Sequence, residues 1–338
     1  MTLYAAIDLH SNNGVLSVID EQDHVLFERR LPNDLQRVRE ALAPFTAELK
    51  ALAVESTYNW YWLVDGLQDA GVNVRLVNTA ATPQYDGLKH GNDYTDARHL
   101  ARLLRLGILP EGYIYPREQR GVRDLLRRRF LLVRQGVTLT NSLQCAWSRR
   151  TGHGLRSRDL QQLSAQTVEA TFPDVHERLA VLSELKLLEG VRAQIDQMEG
   201  WVTDAIHHTP ALHALRSIPG VGVIQGSTIL LETGDIARFA SVGQYASYCR
   251  MVESIRLSNG KKKGQGNAKC GNRYLCWAWI EAANFAIRFS PEIRRWHDRK
   301  AKRKPRPLAI KAVAHKLARA GYHLIKTGGH FDVKRAFG

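Results

Sequence analysis

The sequence predicts an α/β N-terminal domain, a mixed sheet with helices, followed by a mostly α-helical remainder. Three observations carry this. Up to residue 77, short apolar runs alternate with stretches of helical period. From residue 117 onward the apolar spacing is helical almost throughout. The charge also changes sign: residues 1–100 hold 8 Lys/Arg and 14 Asp/Glu, net −6, whereas residues 101–338 hold 40 and 19, net +21. With 338 residues the chain has room for more than one core. We divide it at 1–110, 111–208 and 209–338.

Leu3 to Leu9 is an apolar run whose one charge is Asp8, the pattern of a buried strand. Asn12-Asn13-Gly14 reads as a hairpin turn into a second strand, Val15 to Ile19. Val25 to Arg30 alternates as a third. Asp34 caps a helix with Leu35, Val38, Leu42 and Phe45 on its apolar face. Leu52 to Glu55 is a further strand, again with an acid last. Ser56-Thr57 is expected to cap a helix bearing Trp60, Leu63, Val64 and Leu67, and Val72 to Val77 is the fifth strand. The first three strands suit an antiparallel meander, and the later two join by helical crossovers into a mixed sheet.

Asn92 precedes Asp93 and Asp96, which are three apart where Ala97, Leu100, Ala101, Leu103 and Leu104 begin a helical face. Residues i and i+3 share a helix side, so both carboxylates can point at one spot. An acidic first turn favoured by the helix dipole is the plain alternative. Asp8 and Glu55 alter the balance, because chemistry in open α/β sheets gathers at the carboxyl ends of strands. Four converging acids ask for hard cations, Mg²⁺ above all, with Mn²⁺ able to substitute. Two such ions can assist phosphoryl transfer. Taken singly, each strand-end acid could equally be a hydrogen-bonded structural group.

Residues 107–116 form a linker with two prolines. A long helix from 117 to 150 follows, carrying Arg123, Arg127, Arg128, Arg129, Arg134, Arg149 and Arg150 among apolar residues, a pattern that suits phosphate backbones or a solvated basic face. Residues 151–173 are looser, with a short helix around Asp159 to Glu169. Leu185, Leu188, Val191, Ile195, Met198 and Val202 step with the heptad rhythm of a coiled coil or helical hairpin, and self-association is the expectation. Ile218-Pro219-Gly220-Val221-Gly222 is an apolar turn between helices whose glycines would let backbone N–H groups approach a phosphate, as in a helix-hairpin-helix. The segment Glu253 to Lys269 has three glycines, five basic residues and two serines, so it reads as a mobile surface loop. It can clamp a phosphate backbone or present a hydroxyl nucleophile amid positive charge. Residues 294–306 are densely basic, and a last helix spans about Leu308 to Ile325.

Taken in order, Ala6-Ile7-Asp8-Leu9-His10, Val54-Glu55-Ser56-Thr57, Asn92-Asp93-Tyr94-Thr95-Asp96-Ala97, Ile218-Pro219-Gly220-Val221-Gly222, Ser258-Asn259-Gly260-Lys261 and Lys269-Cys270-Gly271-Asn272-Arg273-Tyr274-Leu275 resemble one family. It is that of the DEDD-type insertion-sequence transposases guided by a bridge (seeker) RNA. The resemblance covers about 3 to 325. It implies a RuvC-like (ribonuclease H-like) domain, a coiled-coil insert and a C-terminal transposase domain. Asp8, Glu55, Asp93 and Asp96 match the family's metal-binding acids, and Ser258 matches its serine nucleophile, with Ser254 the lesser candidate. Relatives often carry two adjacent serines and more glycine where this chain has Leu257-Ser258-Asn259-Gly260. The implied partners are donor and target DNA, a non-coding guide RNA, and further copies of the chain in a tetramer built as a dimer of dimers. The two domains serving one site would come from different subunits. Arg127, Arg128, Arg129, Gly220, Gly222, Lys261, Lys262, Lys263, Lys269 and Arg273 are the candidate nucleic-acid contacts. His10 and His99 flank the acids and read as structural.

The expected chemistry is therefore cutting and rejoining of DNA through a phosphoserine. The alternatives are a Mg²⁺-dependent junction resolvase without covalent intermediate, and a non-catalytic nucleic-acid binder. An actin-like ATPase would also need a glycine that Asp8-Leu9-His10-Ser11 lacks. No stretch has the unbroken ~18 apolar residues of a membrane span. With no leader and four unevenly spaced cysteines, the expected location is the cytoplasm of a bacterium or archaeon, at the nucleoid.

Overall fold

The computed structural model describes all residues except 83–90, 207–208, 253–254 and 266–269; in the stretch 255–265 it describes the side chains of 259, 260, 261 and 263 only. The chain divides into two compact units, Met1–Tyr115 and Pro116–Gly338.

In the first unit the strands are β1 (Leu3–Leu9), β2 (Asn13–Ile19) and β3 (Val25–Pro32), then α1 (Leu35–Leu42), β4 (Leu49–Glu55), α2 (Tyr61–Asp69), β5 (Val74–Val77) and α3 (Asp93–Arg105). They form a mixed sheet in the order β3-β2-β1-β4-β5. β1, β2 and β3 pair antiparallel, while β1 with β4 and β4 with β5 pair parallel. The crossovers put helices on both faces, which is why β1 is buried along its whole length. Alternation along the strands then sorts the side chains. Leu3, Ala5, Ile7 and Leu9 pack with Val38 and Leu42 of α1 and Leu63, Val64 and Leu67 of α2. Tyr4, Ala6 and Ala53 pack on the other face with Leu100, Ala101 and Leu103 of α3.

One expectation in this unit fails. Ser56 and Thr57 do not cap α2, which starts at Tyr61 with Trp60 in the capping position and no side-chain cap. Thr57 instead bonds Asn59 Oδ1 at 2.8 Å, and Asn59 reaches back to the carbonyl of His10 at 3.0 Å. The hydroxyl is drawn into the connection after β4, so it is not free to close a helix.

The second unit runs α4 (Arg117–Thr151), α5 (Ser157–Leu160), α6 (Ala165–Thr171), α7 (Val175–Ala205), α8 (Pro210–Arg216), α9 (Val223–Thr233), α10 (Val242–Tyr248), β6 (Ile255–Ser258), β7 (Lys261–Gln265), α11 (Arg273–Phe289), α12 (Pro291–Ala301), α13 (Arg306–Thr327) and α14 (Val333–Phe337). Arg129 pairs with Glu199 and Ser142 with Glu184, so α4 and α7 lie antiparallel. The heptad stripe is partly covered within the chain: Leu185 and Leu188 are buried with Leu143 of α4 and Val168 of α6. This is the helical-hairpin form of the heptad pattern, and the expected self-association surface is smaller by those residues. The looser stretch after α4 holds two short helices instead of one, because Ser164 starts the second by accepting from Thr167 N–H. Around the fully buried Trp279 of α11, residues Leu215, Tyr245, Leu317 and Tyr322 build the core of the remaining helices.

The expected mobile loop also contains a structured piece. Ile255–Ser258 and Lys261–Gln265 pair as an antiparallel hairpin, with Ser258 opposite Lys261. Asn259 and Gly260 both have positive φ, 50° and 71°, as a tight two-residue hairpin turn requires. Ser254 and Lys269 lie outside the described residues. Among the described residues no helix is long and apolar enough to cross a membrane.

Candidate functional site

The register of the sheet brings the acids together. Ala6 pairs with Ala53 and Ile7 with Val54, so Asp8 and Glu55 are the next residues of two neighbouring parallel strands. By alternation Asp8 shares a face with Tyr4 and Ala6, and Glu55 with Ala53, which is the face covered by α3. Asn92 caps α3 and exchanges bonds with Thr95 in a capping box, Thr95 N–H to Asn92 Oδ1 at 3.0 Å and Asn92 N–H to Thr95 Oγ1 at 2.9 Å. That cap fixes Asp93 and Asp96 on the first turn, directed at the strand ends.

The electrostatics record how close these groups are. Burial and the neighbouring Asp8 carboxyl push Glu55 up to about 8. Asp96 is raised by burial and by the charges of Asp8 and Asp93. Asp93 moves the other way, mainly because Arg30 of β3 donates to its Oδ2. Asp8, Glu55 and Asp96 thus crowd one corner, buried at Asp8, half-buried at Glu55 and open to solvent at Asp96, and Asp93 is tied to a guanidinium. Like charges at this spacing call for a proton or a cation between them.

His10, read from the sequence as structural, belongs to this corner. Its Nε2 lies 3.3 Å from Asp8 Oδ2 and 3.3 Å from Asp93 Oδ2, yet has no hydrogen-bond alignment with either. Asn33 and Asn59 both donate to its carbonyl, at 3.1 and 3.0 Å, and its own N–H donates to Asn13 O at 2.8 Å. Asp8, His10 and Asp93 can each offer a ligand atom within 4.8 Å of the others. Adjacent ligands of an octahedral ion with bonds of ~2.1 Å are ~3.0 Å apart, so the spacing fits a divalent cation. Imidazole is a better ligand for Mn²⁺ than for Mg²⁺. The signal for His10 was its place two residues past Asp8. Arg30 could have been found from its even spacing with Glu28 on β3, which pairs with Arg98 of α3.

The second unit places the remaining candidates. Ser258 ends β6 beside the turn, with Lys261 and Lys263 exposed on β7. Lys262 is described by its backbone alone. Arg128 is exposed, but Arg127 and Arg129 are held by carboxylates of the same unit: Arg127 forks onto the buried Glu232, and Arg129 bonds one oxygen of the half-exposed Glu199. Gly220 has φ +85° and its Cα faces Phe285, while Gly222 caps α9. Arg273 is exposed and donates to Tyr274 Oη at 2.8 Å.

Two family models match the chain over these regions. Residues 5–148 match the DEDD transposase model of the IS110 type, described as "Transposase". Residues 212–298 match the model described as "Transposase IS116/IS110/IS902 family". Two stretches of the chain thus match IS110-family transposase domains. The first match contains all four acids and the second contains the serine hairpin. Two of three similar proteins match over nearly the whole chain. A "probable family 20 transposase" of Pseudomonas aeruginosa is 25% identical over 91% of this chain and 92% of its own length. The "transposase for insertion sequence element IS1328" of Yersinia enterocolitica is 22% identical over 96% and 97%. An "insertion element IS110 uncharacterized 43.6 kDa protein" of Streptomyces coelicolor is 24% identical over 47% of this chain and 40% of its own length.

Proposed function

We propose that this IS110-family transposase cuts and rejoins DNA strands through a phosphoserine formed at Ser258, assisted by divalent metal held by Asp8, Glu55, Asp93 and Asp96. The observation that carries the reading is the register that puts Asp8 and Glu55 side by side under the capped turn of α3. The donor set is oxygen-rich, with His10 as one further ligand, which suits Mg²⁺ or Mn²⁺. Such an ion, when bound, lowers the cost of charge developing on the phosphoryl oxygens.

The chain's own residues do the rest. Asp8 is buried at a strand end and so offers its carboxylate in a fixed direction. Arg30 keeps Asp93 ionised. Asn33 and Asn59 hold the His10 backbone, which sets where its ring can lie. Ser258 Oγ forms a bond to phosphorus, the bridging P–O bond to one deoxyribose breaks, the serine proton leaves, and the departing sugar oxygen takes up a proton. The phosphoserine conserves the energy of the phosphodiester, so the reverse attack by a new sugar hydroxyl rejoins DNA.

The domain plan 1–110, 111–208 and 209–338, the guide RNA and the tetramer complete the proposal. They rest on the motif resemblance and, for RNA, on the +21 balance of residues 101–338. The exposed Arg128, Lys261, Lys263 and Arg273 are its backbone contacts, joined by Lys262, Lys269 and the Gly220–Gly222 turn.

A strand-exchange assay with the element's RNA, donor DNA and target DNA tests this. Wild-type protein with Mg²⁺ yields recombined strands. Ser258→Ala, Asp8→Asn and chelation of the metal each abolish them. Exchange by Ser258→Ala would remove the serine from the mechanism. Cutting without exchange would favour a resolvase-type nuclease.

A further inference from the structure

Glu232 is almost completely buried in α9, at 2% exposure, and is satisfied by three donors. Arg127 of α4 donates from Nε to Oε1 at 2.5 Å and from Nη2 to Oε2 at 2.8 Å. Asn272 Nδ2 donates to the same Oε2 at 2.7 Å. The Asn272 amide has no freedom to flip. Its Oδ1 is engaged by the N–H groups of Tyr274 and Leu275, at 2.8 and 3.1 Å, as the cap of α11. Its NH₂ therefore has to meet an acceptor, and the carboxylate of Glu232 is placed for it. The Arg127 guanidinium also stacks 4.6 Å over the ring of Tyr274, in the first turn of the same helix.

What this network holds is the stem of the serine-bearing segment. The chain leaves α10 at Tyr248 and returns at Gly271, and the two ends are bonded to each other. Asn272 N–H donates to Tyr248 O at 2.6 Å, and Arg250 Nε donates to Gly271 O at 2.9 Å. Gly271 has φ +90°, and a Cβ there would lie 2.6 Å from Tyr248 O, so the approach leaves no room for another residue. Everything between the two ends, Ser258 included, is carried on this junction.

We propose that Glu232, with Arg127 and Asn272, is a positioning residue for the segment that carries Ser258: the network fixes the two ends at which that segment leaves and rejoins the helices. Arg127 then serves the reaction from inside the protein, not as a contact to a nucleic-acid backbone. The inference rests on Ser258 being the nucleophile. It adds that the stem, through Glu232, sets the rate of the covalent step without contributing to nucleic-acid affinity.

Glu232→Gln tests it with little change of shape. A carboxamide has one acceptor oxygen and cannot satisfy three donors, so an N–H is left facing Arg127 or Asn272. The measurement is the rate of covalent protein–DNA adduct formation by full-length protein at saturating RNA and DNA, alongside the affinities for both. The expected result is a fall on the order of 10- to 100-fold in rate, the scale of a small misplacement of a reacting group, with affinities unchanged.

The double variant Glu232→Gln with Asn272→Asp recovers part of the rate. There the carboxylate introduced at position 272 caps α11 and accepts from the amide introduced at position 232, whose oxygen still accepts from Arg127 Nε, while Arg127 Nη2 is left facing the amide NH₂. Ile229→Val, a buried truncation on the same helix, controls for lost stability and leaves the rate intact. A wild-type rate in Glu232→Gln, an equal loss in Ile229→Val, or no recovery in the double variant would each overturn the inference. If the wild type itself forms no adduct, the serine reading fails and takes this inference with it.

Discussion

Two acids of the cluster, one ending β4 and one in the first turn of α3, behave in opposite ways for the same physical reason. Asp93 has a cation beside it and is held ionised, whereas the half-buried Glu55 faces Asp8 and holds its proton up to about 8. An acid raised in the folded state binds a proton that the unfolded chain, with the ordinary value of 4.5, has already released. The contribution of Glu55 to the stability of the metal-free protein therefore falls as pH rises from about 4.5 to about 8. Glu55→Gln lacks that proton, so in chelator its unfolding midpoint should gain on the wild type between those limits. Parallel curves for the two proteins would show that Glu55 is not crowded. A bound divalent ion relieves the same repulsion. His10 makes a sharper statement: Mn²⁺ bound to the wild type should show nitrogen coupling in pulsed electron paramagnetic resonance, and His10→Gln should bind Mn²⁺ without it. Coupling that persists in the variant would exclude His10 as a ligand.

Among the elements, α3 shows how much a short motif carries. Asn92 and Thr95 satisfy each other's backbone groups, and that box aims both acids. Asn92→Ala should destabilise the protein by about 1 kcal/mol, read by urea unfolding, and reduce metal affinity as the turn frays. The helix with its two acids was legible because the cap, the i,i+3 acids and the apolar face all lay within one stretch. β1, β2 and β4 were legible because burial on both faces makes each a nearly continuous apolar run, whereas the largely exposed β3 was legible by its alternation. The hairpin at 255–265 was not, since Lys261-Lys262-Lys263 offers no apolar alternation, although Asn259-Gly260 is a strong turn signal. Gly220 is a case where the turn needs its glycine. Its φ is +85° and an added Cβ would sit 2.5 Å from Phe285 Cβ. Gly220→Ala should cost about 2–4 kcal/mol, strained backbone and overpacking combined. A neutral substitution would mean the turn between α8 and α9 relaxes freely.

At the scale of the whole molecule, the charge balance separates two tasks. The residues up to 100 are net acidic and carry the four acids, while residues 101–338 hold a balance of +21. That asymmetry was visible in composition alone, but which arginines are free was not. Periodicity placed Arg127, Arg128 and Arg129 together on a basic helix, and only packing shows that Glu232 and Glu199 take two of them. Salt dependence of DNA binding should reflect this: Arg128→Ala lowers the slope of log affinity against log salt by about 1, and Arg127→Ala leaves it nearly unchanged. The most direct test of the central claim is a denaturing gel for covalent protein–DNA linkage. Wild type, Ser258→Ala and Asp93→Asn would each be incubated with RNA, labelled donor and target DNA, and Mg²⁺. The account predicts label migrating with the wild-type protein and with neither variant. Cleaved DNA with no label on the wild-type protein would contradict it.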